Sequence, residues 1–167
     1  MTFCYNVCGD AMFSNFLILQ ILDYLDLNLY KKISIDELVD IFHYDKAYMM
    51  RLFKKELGIT IVEYLNDKKV FSSLKALQNN HSSILSVALD YGFFSQEYFC
   101  EIFHKVIGVS PTNYRLFLTK SYLLQEKDIF SIQENITYLN SLFKQIDNYH
   151  NNVPTNDSIK ILSIFKK

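Results

Sequence analysis

The chain has 167 residues, of which 50% are hydrophobic and 21% charged, and its formal net charge is −1 at pH 7. This length is enough for one domain with a hydrophobic core and a small appendage. No basic leader with an apolar core opens the sequence, and the apolar run over residues 16–22 is interrupted by Gln20, so neither secretion nor membrane insertion is expected.

A first helix is predicted over residues 14–32, after a short N-terminal segment of residues 1–13. Its apolar residues recur at intervals of three and four, which places them on one helical face. These residues are Ile18, Leu22, Leu25 and Leu29. We expect this face to pack against the helices that follow.

Residues 34–58 predict a first helix-turn-helix unit. Ser34 and Glu37 have the S-x-x-E spacing of a capping box, and Asp45 stands where it can cap the next helix. His43 occupies the turn between the two helices. Histidine adopts left-handed backbone more readily than most residues, so we expect a strained but intact turn.

A linker helix is predicted to follow, from about residue 60 to about residue 78. Thr60 and Glu63 form a second capping box at its start. Apolar residues at helical spacing predict the side that packs on the rest of the domain. They are Ile61, Tyr64, Leu65, Phe71, Leu74 and Leu77.

A second helix-turn-helix unit is predicted over about residues 83–108. Gly92 supplies the positive φ that a tight turn between two helices requires, and Ser95 can cap the helix after it. Ser110 and Pro111 then open a further helix, because proline is tolerated at the first turn. The architecture of the first unit is therefore repeated.

In its residue types and intervals the chain resembles the DNA-binding domain of the AraC/XylS family of bacterial transcription regulators. The second unit carries most of the resemblance, and the run RLFKKELG at 51–58 adds to it. The matching residues are Ile84, Val87, Ala88, Gly92, Phe93, Gln96, Tyr98, Phe99, Phe103, Gly108, Ser110, Pro111, Tyr114 and Arg115.

This resemblance implies an all-α DNA-binding domain over residues 14–118, with two helix-turn-helix units joined by the linker helix and without the N-terminal sensor domain of most members. It implies a sequence-specific transcription regulator, an activator, located in the cytoplasm at the nucleoid. Double-stranded DNA and RNA polymerase are the implied partners. No enzymatic activity, cofactor or metal is expected.

The resemblance also implies which residues contact bases. Those of the first recognition helix are Ala47, Met50 and Arg51, and those of the second are Gln96, Glu97 and Glu101. Arginine can donate two hydrogen bonds to guanine and glutamine can pair with adenine, whereas glutamate only accepts. The full set of candidate DNA-binding residues is Lys46, Ala47, Met50, Arg51, Lys54, Lys55, Lys69, Ser95, Gln96, Glu97, Glu101, His104 and Lys105.

Charge divides unequally between the two units. Residues 45–75 contain seven Lys or Arg against four Asp or Glu, whereas residues 81–115 contain two against three. Because phosphate neutralisation supplies most non-specific affinity, we expect the first unit to contribute more to DNA binding than the second.

A helical extension is predicted after the resemblance ends, over residues 119–167. Apolar residues within 129–146 recur every three or four positions, as in a coiled-coil seam. They are Ile129, Ile132, Ile136, Leu139, Phe143 and Ile146. The seam either packs back on its own domain, which we favour, or forms a homodimer contact.

Catalytic chemistry has little support in the sequence. No nucleophile, carboxylate pair or phosphate-binding loop stands out, and the four histidines show no ligand spacing. Cys4 and Cys8 would share one side of a helix, which permits a thiolate site, but ordinary reduced cysteines are favoured. The competing functional class is a protein-interaction module, a reduced relative that titrates another regulator or RNA polymerase.

Overall fold

The structure, a computed structural model, describes residues 7–78, 81–118 and 126–152. Within these residues the secondary structure is helical and contains no strand, which confirms the predicted all-α class. The helices are α1 (Val7–Leu27), α2 (Ile35–Phe42), α3 (Lys46–Leu57), α4 (Ile61–Ser73), a 3-10 helix (Ala76–Gln78), α5 (Ile84–Asp90), α6 (Gln96–Ile107), α7 (Pro111–Leu118) and α8 (Glu126–Asn152). Over the same residues, no helix has both the length and the apolar character needed to cross a membrane.

The first helix-turn-helix unit consists of α2 and α3, and local hydrogen bonds define its ends. The Glu37 N–H donates to the Ser34 hydroxyl over 3.1 Å, and the Tyr48 N–H donates to the Asp45 carboxylate over 2.9 Å. His43 adopts the left-handed conformation with φ of 57°, and its N–H donates to the Val39 carbonyl. The turn is therefore made with histidine where a glycine would avoid the strain.

The linker is shorter than predicted as an α-helix. It begins with the predicted capping box, in which the Glu63 N–H donates to the Thr60 hydroxyl and the Thr60 N–H donates to the Glu63 carboxylate. The α-helical part ends at Ser73, where the Leu74 N–H donates to the Phe71 carbonyl three residues back. The chain then tightens into the 3-10 helix, because Ser73 hydrogen-bonds locally to the Val70 carbonyl and so competes with the helical pattern.

The second unit, α5 and α6, is joined to the first by close contact at its turn. Gly92 has φ of 70°, and a Cβ there would lie 2.5 Å from the Tyr30 carbonyl oxygen. Glycine is therefore required at this position by both conformation and space. Ser95 caps α6 by accepting from the Tyr98 N–H at 3.2 Å.

Two hydrophobic cores lie under the two units. The first joins α1, α2, α3 and the start of α4, and the predicted stripe of α1 is buried in it. That helix starts and ends earlier than predicted, at Val7 and Leu27. The second core joins α5, α6, α7 and the end of the linker.

The C-terminal helix α8 packs along both cores. Ile132 and Leu139 are buried in the second core, and Leu142 and Ile146 in the first. The sequence left two partners open for the apolar seam, its own domain or a second copy of the chain. In the structure the seam packs against its own domain. The other parts of the predicted extension, residues 119–125 and 153–167, lie outside the described residues.

Candidate nucleic-acid interface

The first recognition helix, α3, presents a polar face to solvent. Its inner side is fixed by Met49, Leu52 and Phe53, which are all buried. The opposite side carries residues at intervals of three and four, and all of them are exposed. They are Ala47, Met50, Arg51 and Lys54. No ion pair of Arg51 or Lys54 occurs among the described residues, so both cations are available to a ligand.

Two further cations of α3 have acidic neighbours at the surface. The Lys46 ammonium lies 2.7 Å from the Asp36 carboxylate, and Lys55 lies 3.7 Å from Glu56. Exposed ion pairs are worth less than about 1 kcal/mol, because water and salt screen them. Both lysines can therefore exchange these partners for a phosphate.

The second recognition helix, α6, has an exposed face of different chemistry. Glu97, Glu101 and His104 are exposed on it, whereas Gln96 is half-buried. The N–H of Glu97 and the Ser95 hydroxyl hold the pKa of the Glu97 carboxyl below its usual range. Glu97 is thus tied to the start of its own helix, and Glu101 is the acidic group that remains free to face a ligand.

Lys69 does not lie at this interface, which corrects its assignment as a DNA contact. Its side chain is 7% exposed, and its ammonium donates to the Gly92 carbonyl at 3.0 Å and the Lys31 carbonyl at 3.2 Å. Burial lowers the pKa of Lys69. The residue joins the loop after α1 to the turn of the second unit.

Lys68 is a second cation that the sequence count treated as available to DNA. Its ammonium forms an ion pair with Asp26 and also donates to the Tyr64 hydroxyl, which itself donates to Asp26. Two of the seven cations counted in residues 45–75 therefore serve internal structure. The positive field of the first unit comes instead from the exposed side chains of α3.

A cleft of about 340 Å³ is lined by residues of α3, α4, α6 and α8. Lys54 of α3 and Lys105 of α6 lie on its walls, and Glu63 and Asp67 of α4 lie between them. Burial, reinforced by Glu63 and opposed by Lys105, raises the pKa of Asp67 to about 6. At neutral pH the cleft thus brings two cations, Lys54 and Lys105, together with two carboxylates, Glu63 and Asp67, and these charges balance.

Two exposed aromatic groups beside the recognition helices were missed in the sequence. Phe94, which is 66% exposed, directly precedes Ser95, and the Lys32 ammonium lies 4.8 Å from its ring centre. Tyr44, in the turn before α3, stacks on Tyr48 of α3 with 5.9 Å between ring centres. For Phe94 and Tyr44 the sequence signal was an aromatic residue in a turn, where no core requires it.

Metal and thiol chemistry has no support in the described part of the chain. Within it, no group of three His, Cys, Asp or Glu side chains is arranged to hold a metal ion. Cys100 is a free, partly buried cysteine, and burial raises the pKa of its thiol. Cys4, one member of the proposed thiolate pair, lies outside the described residues.

Comparisons with known proteins also indicate a helix-turn-helix protein. The family described as "Helix-turn-helix domain" matches residues 38–116. The HTH-type transcriptional activator AarP of Providencia stuartii is 32% identical over 106 residues, which cover 64% of this chain and 78% of AarP. The bifunctional transcriptional activator/DNA repair enzyme AdaA of Bacillus subtilis is 35% identical over 57% of this chain, but the match spans only 45% of AdaA.

Solved structures show the same fold. A transcriptional regulator from Chromobacterium violaceum, described as containing an AraC-type DNA-binding domain, superposes with a TM-score of 0.55 at 20% identity. The superposition covers 64% of this chain and 96% of that one. The superposition therefore spans part of this chain and almost all of the other.

Proposed function

The chain belongs to the AraC/XylS family of transcription regulators, and we propose that it is an activator that reads two adjacent major-groove segments with α3 and α6. The observation that carries this proposal is a pair of N-capped recognition helices whose polar faces are exposed on one body. Two such helices on one side of a protein suit groove segments about one helical turn apart.

The two helices are proposed to contribute unequally. Arg51 stands on the exposed face of α3 with Lys54 beside it, so this helix can combine base recognition with phosphate contacts. On α6, Gln96 can pair with adenine and Glu101 can accept from cytosine, but Glu101 also repels phosphates. We assign most of the affinity to α3 and part of the sequence preference to α6.

The other proposed DNA contacts serve the phosphates. Lys46 and Lys55 lie near the two ends of α3, while His104 and Lys105 follow Glu101 on α6. Ser95 is placed at the start of α6, where backbone N–H groups favour an anion. Together with Lys54 across the cleft, Lys105 is suited to the backbone segment between the two grooves.

RNA polymerase is the proposed protein partner, supported by the activator names of related proteins such as AarP. Action at the nucleoid in the cytoplasm follows from the same proposal. A homodimer through residues 129–146 is disfavoured, because the middle of that seam is already buried within the chain.

A protein-interaction module remains the second candidate, and the acidic face of α6 favours it. Glu101→Gln distinguishes the two functions. If α6 lies in a groove, removing the charge should raise affinity for random DNA about fivefold, since one surface charge pair is worth on the order of 1 kcal/mol in water. Glu134→Gln, an exposed site on α8, is the matched control. An unchanged affinity would favour the interaction module.

The proposed function is tested by selecting DNA sequences with the purified full chain and measuring binding at moderate salt with competitor DNA. We expect the selected site to bind at least about a thousandfold more tightly than random DNA. Lys144→Ala on α8 should leave this ratio unchanged, as an exposed cation outside the interface. Equal affinity for selected and random DNA would refute sequence-specific recognition.

A further inference from the structure

The C-terminal helix α8 lies outside the matched family region, which ends at residue 116. It nevertheless packs against both hydrophobic cores. At one end Ile132 is buried against the second core, and at the other Ile146 is buried against the first. Between them the ring of Phe143 packs on both cores.

At the second unit, α8 contacts the end of the recognition helix itself. The Asn135 side-chain N–H donates to the Ile107 carbonyl at 3.0 Å, which satisfies a carbonyl group that the end of α6 leaves without a helical partner. Gly108 ends α6, and a Cβ at this position would collide with the Ser131 hydroxyl of α8. This close contact fixes the C-terminal end of α6 against α8.

At the linker helix, aromatic packing continues the contact. The Phe143 ring centre lies 6.3 Å from that of Tyr64 and 5.4 Å from that of Phe71. Near the end of α8, the His150 imidazole lies 2.9 Å from the Asp23 carboxylate of α1. Groups from Phe143 to His150 therefore tie α8 to the linker helix and to α1, on which the first unit packs.

The linker alone would fix the relative orientation of the two units less firmly than the linker and α8 do together. Its α-helix stops at Ser73 and changes into a 3-10 helix, whose hydrogen bonds have poorer geometry. The contact of the Gly92 turn with the loop after α1, reinforced by Lys69, holds the second unit on one side. Helix α8, anchored in both cores, adds a further connection that limits rotation about the linker axis.

We propose that α8 fixes the distance and angle between α3 and α6, and thereby makes the spacing between the two DNA segments part of the recognised sequence. This inference rests on the proposed function. Asn135 and Phe143 are the positioning residues, because they connect α8 to the recognition helix and to both cores. One added base pair moves a groove segment by about 3.4 Å and rotates it by about 35°, which a rigid pair of readers does not tolerate.

The test measures binding of the full chain to the selected site and to versions with one or two base pairs inserted or removed between its halves. We expect the unmodified chain to lose about tenfold or more in affinity for each change, since linked readers lose their joint binding when the geometry forbids it. Asn135→Ala and Phe143→Ala should reduce that loss to about threefold. A general loss of stability would lower binding to all spacings alike.

Matched controls lie on the same helix. Asn140→Ala and Phe130→Ala make the same chemical changes at exposed positions and should keep the sharp spacing preference. If Phe143→Ala fails to fold, the milder Asn135→Ala decides the question. Specific binding with the same spacing profile in Asn135→Ala and the unmodified chain would overturn the role of α8, whereas absence of any specific binding by the unmodified chain would overturn the proposed function itself.

Discussion

Arg51 and Lys54 lie one turn apart on α3, and their proposed roles differ in a measurable way. Arg51→Ala should weaken binding to the selected site by roughly 1–3 kcal/mol and relax one base position. Lys54→Ala should weaken binding to all sequences alike and lower the salt slope by about one. Titrations on selected and random DNA at several salt concentrations measure both effects. Equal losses on the two DNAs for Arg51→Ala would exclude it as a base reader.

Asp67 gives the stability of the chain a specific pH dependence. Its pKa of about 6 in the folded state exceeds the ordinary value near 4, so the folded chain binds this proton more tightly than the unfolded chain. Ionisation of Asp67 therefore lowers the free energy of unfolding. This loss is absent below about pH 4, grows between about pH 4 and about pH 6, and is constant at higher pH.

Asp67→Asn should therefore stabilise the chain at pH 7.5 by about 1 kcal/mol, a value reduced because the carboxyl is partly solvated. At pH 4 the difference should largely disappear. Urea unfolding at the two pH values measures it, with the exposed Asp40→Asn as control. A gain of equal size at both pH values would show that Asp67 is not the titrating group.

Among the helices, α8 should contribute to the free energy of unfolding as part of the hydrophobic core. Leu139 is 1% exposed, and Leu139→Ala should lower the free energy of unfolding by about 2–5 kcal/mol, through lost burial and the cavity left behind. Its neighbour Tyr138 is 58% exposed, and Tyr138→Ala should change stability by about 0.5 kcal/mol or less. Chemical unfolding of the two variants measures the contrast, and similar values for both would mean that α8 does not dock as described.

The helix starts could be predicted because their causes are local. Ser34, Asp45, Thr60 and Ser95 each accept from an N–H three residues later, so sequence spacing alone identifies them. The roles of Lys68 and Lys69 could not be predicted in this way. Their partners lie up to 42 residues away, and only the packing of α4 against α1 and the Gly92 turn brings these groups together.

The candidate interface could also be predicted from the sequence only in part. The exposed face of α3 follows from helical periodicity, so the positions of Arg51 and Lys54 were predictable. The cleft between α3 and α6 was not, because it depends on the angle between two units and on a helix outside the family resemblance. The charge count overvalued Lys68 and Lys69 for a related reason, since it treated buried and exposed lysines alike.

For the molecule as a whole, the shared elements predict one cooperative unfolding transition. Linker helix α4, α8 and Lys69 connect the two cores, so neither unit can lose its packing without exposing part of the other. The chain has no tryptophan, and its 12 tyrosines include Tyr64 in the first core and Tyr114 in the second. Melting curves by helical circular dichroism and by tyrosine fluorescence should coincide. Two separated transitions would mean that the units unfold independently.

The position of α8 in the chain also affects folding during synthesis. Leu142 and Ile146 complete a core whose other buried members all lie between Leu17 and Leu65. The ribosome must therefore add some eighty residues after Leu65 before the first unit can finish packing, at about 5–20 residues per second. During those seconds the apolar surface that α8 later covers is exposed to water. The nascent chain should therefore bind chaperones until α8 docks.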